Sequence, residues 1–580
     1  MNYFQLRELK PYFIIFIVIS MIVSAFHLLN TYIIYIFDTY HILPALLLAG
    51  ITNTDGDSAR YMLSALVQSE ATIIAVVITL SLVAVQLAAS SYSPRVIKIF
   101  IRSPDLWFIL SIYVISIVYG LAVLRLIDSE NIHINNLEWG ISVAFVLGIF
   151  NLVILFPYIN NTLRLIDPNR IIEFLVEGIT KDNIFSVERP GDKNDPLQDI
   201  IYIIISSSMR YDVATVDDGL NAIGFKIEFI LKNYEADEKE ETRFANFIFN
   251  HYYNIAKLAI SREDETTTLA VIHAITRIGK FAELQKREKI LYCAIDSFRS
   301  IGLLAAGKRL EIATSVSSDV LKDIGLTAFK QKRNDFACLV LDDIADIGEI
   351  AAKEELSGAI WTISEIMGSL GVEFVSQEFR NNTDRIVLLT FITINSLERV
   401  GMAAAKEELS DAEMALMDSL GHIGVMAIQK TKEDYASSAI STLETLGIEV
   451  SKKGLDDAAI QAGINIREIG KNAISQNIVK VTNEAVDALE KIVGEAINQD
   501  LARTPFNIVT FDLQEIGVNV ATKEQFSDTK QKVISHLENI KGLADKQNKP
   551  DLSSLCSSSI DHIKTSKDGR MYQFEQSFGG

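Results

Sequence analysis

The heptapeptide AAKEELS occurs twice in this chain, at residues 351–357 and again at residues 404–410. Each copy begins three residues after a glycine, Gly348 in the first case and Gly401 in the second. Outward from these two glycines, an apolar residue followed by glycine recurs at a nearly constant step. The glycines are Gly279, Gly302, Gly325, Gly348, Gly371, Gly401, Gly424, Gly447, Gly470, Gly494 and Gly517. Eight of the ten spacings are 23 residues, one is 24 and one is 30, so the heptapeptide marks a repeated structural unit.

Each 23-residue unit predicts one helix. In residues 335–354, DFACLVLDDIADIGEIAAKE, the apolar residues keep the spacing of one helical face. A glycine inside a helix costs about 1 kcal/mol relative to alanine, so its regular placement indicates that each helix crosses a neighbour closely at that point. Two units form a 46-residue hairpin, which lies within the range of HEAT or armadillo repeats.

The repeats set the expected domain boundaries. They predict an all-α fold with an α-solenoid over residues 243–546, in which the 30-residue step is an insertion forming a loop around residues 378–385. A linking helical region at residues 171–242 precedes the solenoid, and a polar tail at residues 547–580 follows it.

Residues 1–170 predict a transmembrane domain with four helices, at about 11–37, 61–89, 107–127 and 140–163. Each segment is long enough to cross a hydrocarbon core of about 30 Å. Basic residues occupy the N-terminus, with Arg7 and Lys10, and the loop between the second and third helices, with Arg95 and Lys98. The positive-inside rule therefore predicts a multi-pass plasma-membrane protein with both termini and the solenoid in the cytoplasm.

The second predicted helix carries a polar stripe within an arc of about 80°, at 100° per residue. Its members are Ser64, Gln68, Thr72, Thr79, Gln86, Ser90 and Ser93. Two interpretations are open. The stripe packs against neighbouring membrane helices through small and polar residues, or several copies surround a water-filled path in an oligomer. Glu70 lies off the stripe, and we expect it at headgroup level, paired with a base such as Arg60.

Residues 69–127 resemble a known family. The run SEATIIAVVITLSLVAVQLAASSYSPRVIKIF contains Gln86 and then the turn Ser93, Pro94 and Arg95, and the following helix ends in Leu124 and Arg125. These features resemble the predicted prokaryotic membrane proteins grouped as domain of unknown function 2254. A weaker likeness continues through residues 194–220. The resemblance implies a membrane fold and carries no activity.

Charge and cysteine content narrow the function classes. Beyond residue 170 the chain has 45 Lys plus Arg against 64 Asp plus Glu, an acidity that argues against nucleic-acid binding. Cys293, Cys338 and Cys556 are far apart and form no metal-ligand or disulfide pattern. No nucleophile elbow, phosphate loop or zinc motif is present in the sequence. We therefore expect no enzyme, no cofactor and no metal site.

Two functional hypotheses follow. In the first, the acidic solenoid binds a protein partner, expected to be basic, or organises protomers in the membrane. In the second, the protein is an oligomeric ion channel lined by the polar stripe and regulated by the solenoid. The lipid bilayer is a partner under both, and a homo-oligomer fits both.

Overall fold

The computed structural model describes residues 56–91, 104–127, 138–164, 167–187, 190–191, 194–234, 237–377 and 383–566. Two compact units divide the chain, residues 1–171 and residues 172–580. The described residues form helices and connecting turns, with no strand among them. The prediction of an all-α chain with a helical repeat is confirmed.

The described part of the first unit contains three long apolar helices, α1 (Gly56–Ser91), α2 (Pro104–Ile127) and α3 (Glu138–Arg164). Their candidate membrane spans are Asp57–Val83, Trp107–Ile127 and Gly140–Asn160, judged by length and composition. The predicted span at residues 11–37 lies outside the described residues, so three spans stand where the sequence predicts four. The three helices pack closely. Gly120 of α2 lies against the side chain of Val67 of α1, and Gly148 of α3 lies against that of Leu66, in spaces that a Cβ would fill.

The second unit is a series of helical hairpins. It starts with α4 (Pro168–Glu177), which crosses the unit boundary, α5 (Lys181–Phe185) and α6 (Gln198–Ser208). The repeat helices are α7 (Val213–Lys232), α8 (Glu238–Ser261), α9 (Glu265–Leu284), α10 (Glu288–Ala306), α11 (Glu311–Lys330), α12 (Asn334–Lys353), α13 (Ser357–Ser376), α14 (Thr383–Lys406), α15 (Ser410–Gln429), α16 (Glu433–Lys452), α17 (Asp456–Ser475) and α18 (Val479–Asn498). They are followed by α19 (Thr504–Asn507), a π-helical turn (Ile508–Leu513), α20 (Gln514–Ala521), a 3₁₀ turn (Glu524–Phe526), α21 (Ser527–Lys546) and α22 (Pro550–Thr565).

From α8 onward consecutive repeat helices pack against each other, and from α7 onward each helix packs against the helix two positions further along the chain. This pattern makes two layers. Layer A contains α7, α9, α11, α13, α15, α17, the segment from α19 to α20, and α22. Layer B contains α8, α10, α12, α14, α16, α18 and α21.

The periodic glycines form a ladder along each layer. A Cβ added at seven of them would lie closer than 3.0 Å to an apolar side chain of the next helix in the same layer, which is two helices further along the chain. The pairs are Gly302 with Ile347, Gly348 with Val400, Gly371 with Ile423, Gly401 with Leu446, Gly424 with Ile469, Gly447 with Ile492, and Gly517 with Ile563. In five of the seven pairs the apolar partner immediately precedes another periodic glycine, so the apolar residue beside one glycine fills the space left by an earlier glycine, which explains why the two recur together.

The remaining four glycines have other surroundings. Gly325 faces Val340 of the next helix, and Gly470 lies between Ala485 and Ile516. A Cβ at Gly279 would make an ordinary contact of 3.5 Å with Ala294, and one at Gly494 would meet nothing within 4 Å.

Most repeat helices end in the same backbone conformation, which the sequence pattern does not predict. A residue with positive φ follows most of them, and among the repeat helices only Gly454 is a glycine at that place. The others include Glu355, Glu408 and Thr431, the last with φ of 55°. Backbone N–H groups then reach back to the last turn, as Leu356 N does to Ala351 O at 2.9 Å.

At three places in layer A, a carboxylate of one helix accepts hydrogen bonds from backbone N–H groups at the start of the next helix in the layer. Oε1 of Glu265 accepts hydrogen bonds from Ile312 N and Ala313 N at 2.9 and 3.0 Å. Glu311 and Asp456 serve the starts of α13 and α19 in the same way. Ser410 and Glu413 match a capping box in sequence, but Leu409 is the residue at the N-cap and no side chain caps α15.

The solenoid is longer at both ends than the sequence predicts. Its first stacked helix is α7, which packs on α9 although α7 lies within the region expected to be a linker. At the other end, residues 550–565 form α22 where a polar tail is expected. Leu552, Cys556 and Ile563 of α22 are buried, so a short apolar face hidden among serines is sufficient to dock this helix.

Candidate functional site

The polar stripe lies on a face of α1 that is exposed in the described structure. Gln68, Thr72, Thr79 and Gln86 are exposed and Ser64 is half-buried. The side chain of Ser90 and the whole of the turn Ser93, Pro94 and Arg95 lie outside what the structure describes. Helices α2 and α3 contact the other face of α1, which carries Leu63, Val67 and Val77. The stripe is therefore not the surface that joins these three helices.

Two of the stripe hydroxyls are satisfied within α1 itself. Thr72 Oγ1 donates to Gln68 O and Thr79 Oγ1 donates to Ala75 O, both at 2.8 Å. Hydroxyls bonded to their own helix are compatible with an apolar environment. The amides of Gln68 and Gln86 are then the stripe groups with the strongest need for a polar partner or water.

Glu70 is buried between the helices with Ser116 and Asn151 as its partners, so the sequence prediction of a pair with Arg60 is wrong. The side chain points between α2 and α3, and the residue is only 3% exposed. Oε1 of Glu70 accepts a hydrogen bond from Ser116 Oγ at 2.8 Å and another from Asn151 Nδ2 at 3.0 Å. The sequence prediction did not include Asn151, an amide inside the apolar run GIFNLVILF. Its position relative to Glu70 depends on tertiary packing.

A second distinctive surface lies in the solenoid, on the adjacent layer A helices α13 and α15. The two helices meet side by side, with Ser364 Oγ 2.9 Å from Ser419 Oγ and Gly368 against Ser419. Neither helix contains a lysine or an arginine. Their carboxylates are Glu365, Glu373, Asp411, Glu413 and Asp418.

An exposed tryptophan accompanies these acids. Trp361 of α13 is 51% exposed, and Met414, at the same repeat position in α15, is half-buried. Glu365 and Asp411 are exposed, while Glu373 and Asp418 are half-buried. We call this group the acidic face: Trp361, Glu365, Glu373, Asp411, Met414 and Asp418. An aromatic anchor beside unneutralised carboxylates is a common arrangement in binding surfaces for basic segments.

Layer B uses its carboxylates differently. Asp346 of α12 binds Arg299 of α10 and Arg399 of α14, each at 2.8 Å. Although burial alone would raise it, hydrogen bonds from these two guanidinium groups hold the pKa of Asp346 below its usual range. Acids in this part of layer B are therefore neutralised within the protein, in contrast to those on the acidic face.

Three of the buried carboxylic groups of the solenoid have a raised pKa. Burial raises the pKa of Asp343 to about 7 and that of Asp512 to about 7, although Arg299 and Arg467 lie 3.1 Å away and lower them. Burial also raises the pKa of Glu413 well above its usual range, and the backbone of Ala405 offsets only part of this. Neither oxygen of Glu413 has a hydrogen-bond partner of normal geometry.

The described cysteines and histidines form no evident reactive site. Burial raises the pKa of Cys293 to about 11 and that of Cys556 to about 12, so both thiols are protonated at neutral pH. Within the described ranges, no group of three His, Cys, Asp or Glu residues is arranged to hold a metal ion. Neither observation identifies a catalytic centre.

Residues 12–200 match the family model described as predicted membrane protein DUF2254. The resemblance seen in sequence is thereby confirmed for the N-terminal part of the chain. No curated protein matches. Among solved structures, a circular tandem repeat protein with novel repeat topology and enhanced subunit contact surfaces is similar, at 13% identity and a TM-score of 0.33. The match covers 69% of this chain and 96% of that one.

A second similar structure is that of Kap121p bound to Ste12p, at 12% identity and a TM-score of 0.16. This match covers 83% of the present chain and 56% of the other.

Proposed function

We propose that this integral membrane protein uses its solenoid, on the cytoplasmic side, to bind a basic segment of a partner protein at the acidic face. The observation that carries the proposal is the composition of α13 and α15: two adjacent helices with five carboxylates, no lysine or arginine, and an exposed tryptophan. Elsewhere in the solenoid, acids such as Asp346 are paired with arginines of neighbouring repeats. On the acidic face Asp418 accepts hydrogen bonds from the neutral amides of Gln461 and Asn465, and Glu373 accepts one from Gln377, so these acids keep their charge. Acids that are not paired with a lysine or arginine, placed around an aromatic side chain, favour recognition of a cationic partner.

A fluorescence titration tests this proposal. Trp361 is the only tryptophan of the solenoid, so replacing Trp107 and Trp139 by phenylalanine leaves it as the sole reporter. The full-length protein in neutral-lipid nanodiscs is titrated with a peptide of alternating lysine and glycine around one central leucine. We expect saturable binding that weakens as salt rises, because exposed charges are screened over about 10 Å at 0.1 M salt.

Charge reversal supplies the matched control. The double variant Glu365→Lys, Asp411→Lys should weaken binding at least tenfold. The variant Glu524→Lys, Asp551→Lys makes the same change in net charge at two exposed acids of other helices and should leave binding nearly unchanged. Equal losses in both variants would show that the peptide senses only net charge, and the proposal would be abandoned.

The channel remains a second candidate because one observation favours it. In the described structure the stripe residues Gln68, Thr72, Thr79 and Gln86 do not contact α2 or α3 and are exposed. A face that lines a path between protomers must be free in this way. Single-channel recording in planar bilayers should show a conductance that the variant Gln68→Leu, Gln86→Leu abolishes and the off-stripe variant Ser69→Leu retains. A conductance that survives the glutamine changes would exclude the stripe as the lining.

A further inference from the structure

Glu70, Ser116 and Asn151 meet at the middle of the three candidate spans. Residue 70 is the midpoint of Asp57–Val83, residue 116 is one residue from the midpoint of Trp107–Ile127, and residue 151 is one residue from the midpoint of Gly140–Asn160. The three residues are 3%, 3% and 0% exposed, respectively. Ionisable groups at this depth are costly and are generally retained for function.

The hydrogen bonds of this cluster are incomplete. Ser116 Oγ and Asn151 Nδ2 both donate to the same atom, Glu70 Oε1. Glu70 Oε2 and Asn151 Oδ1 are buried and have no hydrogen-bond partner. Two neighbouring side chains therefore each keep one oxygen that needs a donor. Turning the amide over would exchange its nitrogen and oxygen without supplying an additional donor.

Among the side chains that the structure describes, no cation pairs with Glu70. The charged residues of α2 and α3 lie near the helix ends, at Asp105, Arg125, Glu138 and Arg164. The titratable side chains of those helices nearer to the cluster are Tyr113, Tyr119 and Tyr158. The hydroxyl of Tyr113 donates to Asn151 O at 2.8 Å, and that of Tyr158 lies 2.5 Å from Ser81 Oγ. Within the described residues Glu70 forms no ion pair.

We propose that Glu70 and Asn151 form a proton-binding site at the centre of the membrane bundle. A carboxylic acid and a primary amide have complementary edges: the amide N–H donates to one carboxyl oxygen, and the acid O–H donates to the amide oxygen. The first of these bonds is present, at 3.0 Å. A proton on Glu70 Oε2 would turn this oxygen, which has no hydrogen-bond partner, into a donor to Asn151 Oδ1, which also has none. The carboxylate then gains one proton from solvent and loses its charge, and no other group changes.

Infrared difference spectroscopy of the full-length protein in liposomes tests the proposal. In acid-minus-alkaline difference spectra the wild type should gain the C=O band of a buried, protonated carboxylic acid. The band should disappear in Glu70→Gln, which keeps the shape and the neutral hydrogen bonds of the site. It should persist in Asp57→Asn, which removes an exposed acid near the start of the same helix. A wild-type spectrum without the band, or a band that survives in Glu70→Gln, would overturn the proposal.

The amide provides an independent check. In Asn151→Leu the Glu70 band should shift to higher frequency, because the acid loses its hydrogen-bond acceptor. A band at unchanged frequency would show that Asn151 does not hold the proton. A metal cation at the same oxygens is distinguished by thermal unfolding at constant ionic strength: stabilisation of the wild type by sodium over potassium and N-methylglucamine, lost in Glu70→Gln, would replace the proton with sodium.

Discussion

The membrane bundle and the solenoid each bury a glutamate, and the two are treated in opposite ways. Glu70 receives hydrogen bonds from side chains of two other helices. Glu413 is fully buried with no such donor. Its repeat position holds Thr268, Thr314, Ile360 and Ala459 in other layer A helices, all buried. The surroundings of Glu70 are particular to that residue, whereas those of Glu413 follow a repeat in which apolar or hydroxyl side chains are usual.

The difference reflects how the two regions are specified. In the solenoid one contact, an apolar side chain over a glycine, is copied along each layer, so a residue inherits its burial from its place in the repeat. In the bundle there is no repeat, and each polar group must find its own partner. Four predictions test this comparison.

The largest effect is expected at the ladder. A side chain at Gly424 would overlap Ile469, with Ala439 close by, so Gly424→Val should destabilise the solenoid by about 3 kcal/mol through overpacking. Urea unfolding followed by circular dichroism measures the loss. Gly494→Val is the matched control, since a Cβ there meets nothing within 4 Å. Equal losses for both would show that β-branching in a helix, and not the ladder contact, sets the cost.

The two buried glutamates should respond oppositely to isoleucine. Glu413→Ile restores the residue found at position 360 and should stabilise the solenoid by about 2 kcal/mol at pH 8, because a carboxylate without donors is removed. Glu70→Ile leaves Asn151 and Ser116 without their acceptor and should destabilise the bundle by a similar amount, about 2 kcal/mol. Thermal unfolding of each variant beside the wild type measures both changes. A stabilised Glu70→Ile protein would end the contrast between the two regions.

A smaller effect is expected at Asp512, which faces Arg467, Glu468 and Glu515. Because burial raises the pKa of Asp512 to about 7, the folded protein binds this proton more tightly than the unfolded chain does. The stabilisation is complete below the unfolded pKa of about 4 and is lost as the pH rises through 7. Between pH 6 and pH 8 the wild type should lose about 1.4 kcal/mol that Asp512→Asn retains. Identical pH profiles of the free energy of unfolding would contradict this.

The smallest effect is expected at the helix ends. Thr431 is a β-branched residue at a φ of 55°, a region that costs such residues about 1 kcal/mol. Thr431→Gly should therefore raise the free energy of unfolding by about 0.5–1 kcal/mol. The reverse change at the equivalent position, Gly454→Thr, should lower it by a similar amount. Changes of the same sign in the two variants would show that side-chain contacts outweigh the backbone conformation.

The sequence predicted most of the fold because a repeat multiplies a weak signal. One glycine in a helix says little, but eleven at a regular step indicate where helices lie and how they cross. It predicted less at the ends, where α7 and α22 lack the regular apolar-glycine step. The site at Glu70 was missed because Ser116 and Asn151 lie 46 and 81 residues away along the chain, and only tertiary packing brings them together. The acidic face was missed because total charge says nothing about which acids are already paired.

The ladder also gives the solenoid a direction. In each of the seven close pairs the glycine precedes its apolar partner in the chain, as Gly302 precedes Ile347. The carboxylates that complete helix starts likewise come first, as Glu265 precedes Ile312. A ribosome therefore releases each cavity and each cap before the helix that needs them, so every new hairpin can dock onto a finished surface. Loss of C-terminal repeats would leave empty hollows, whereas loss of N-terminal repeats would leave protruding isoleucines, and the second should be the more prone to aggregate.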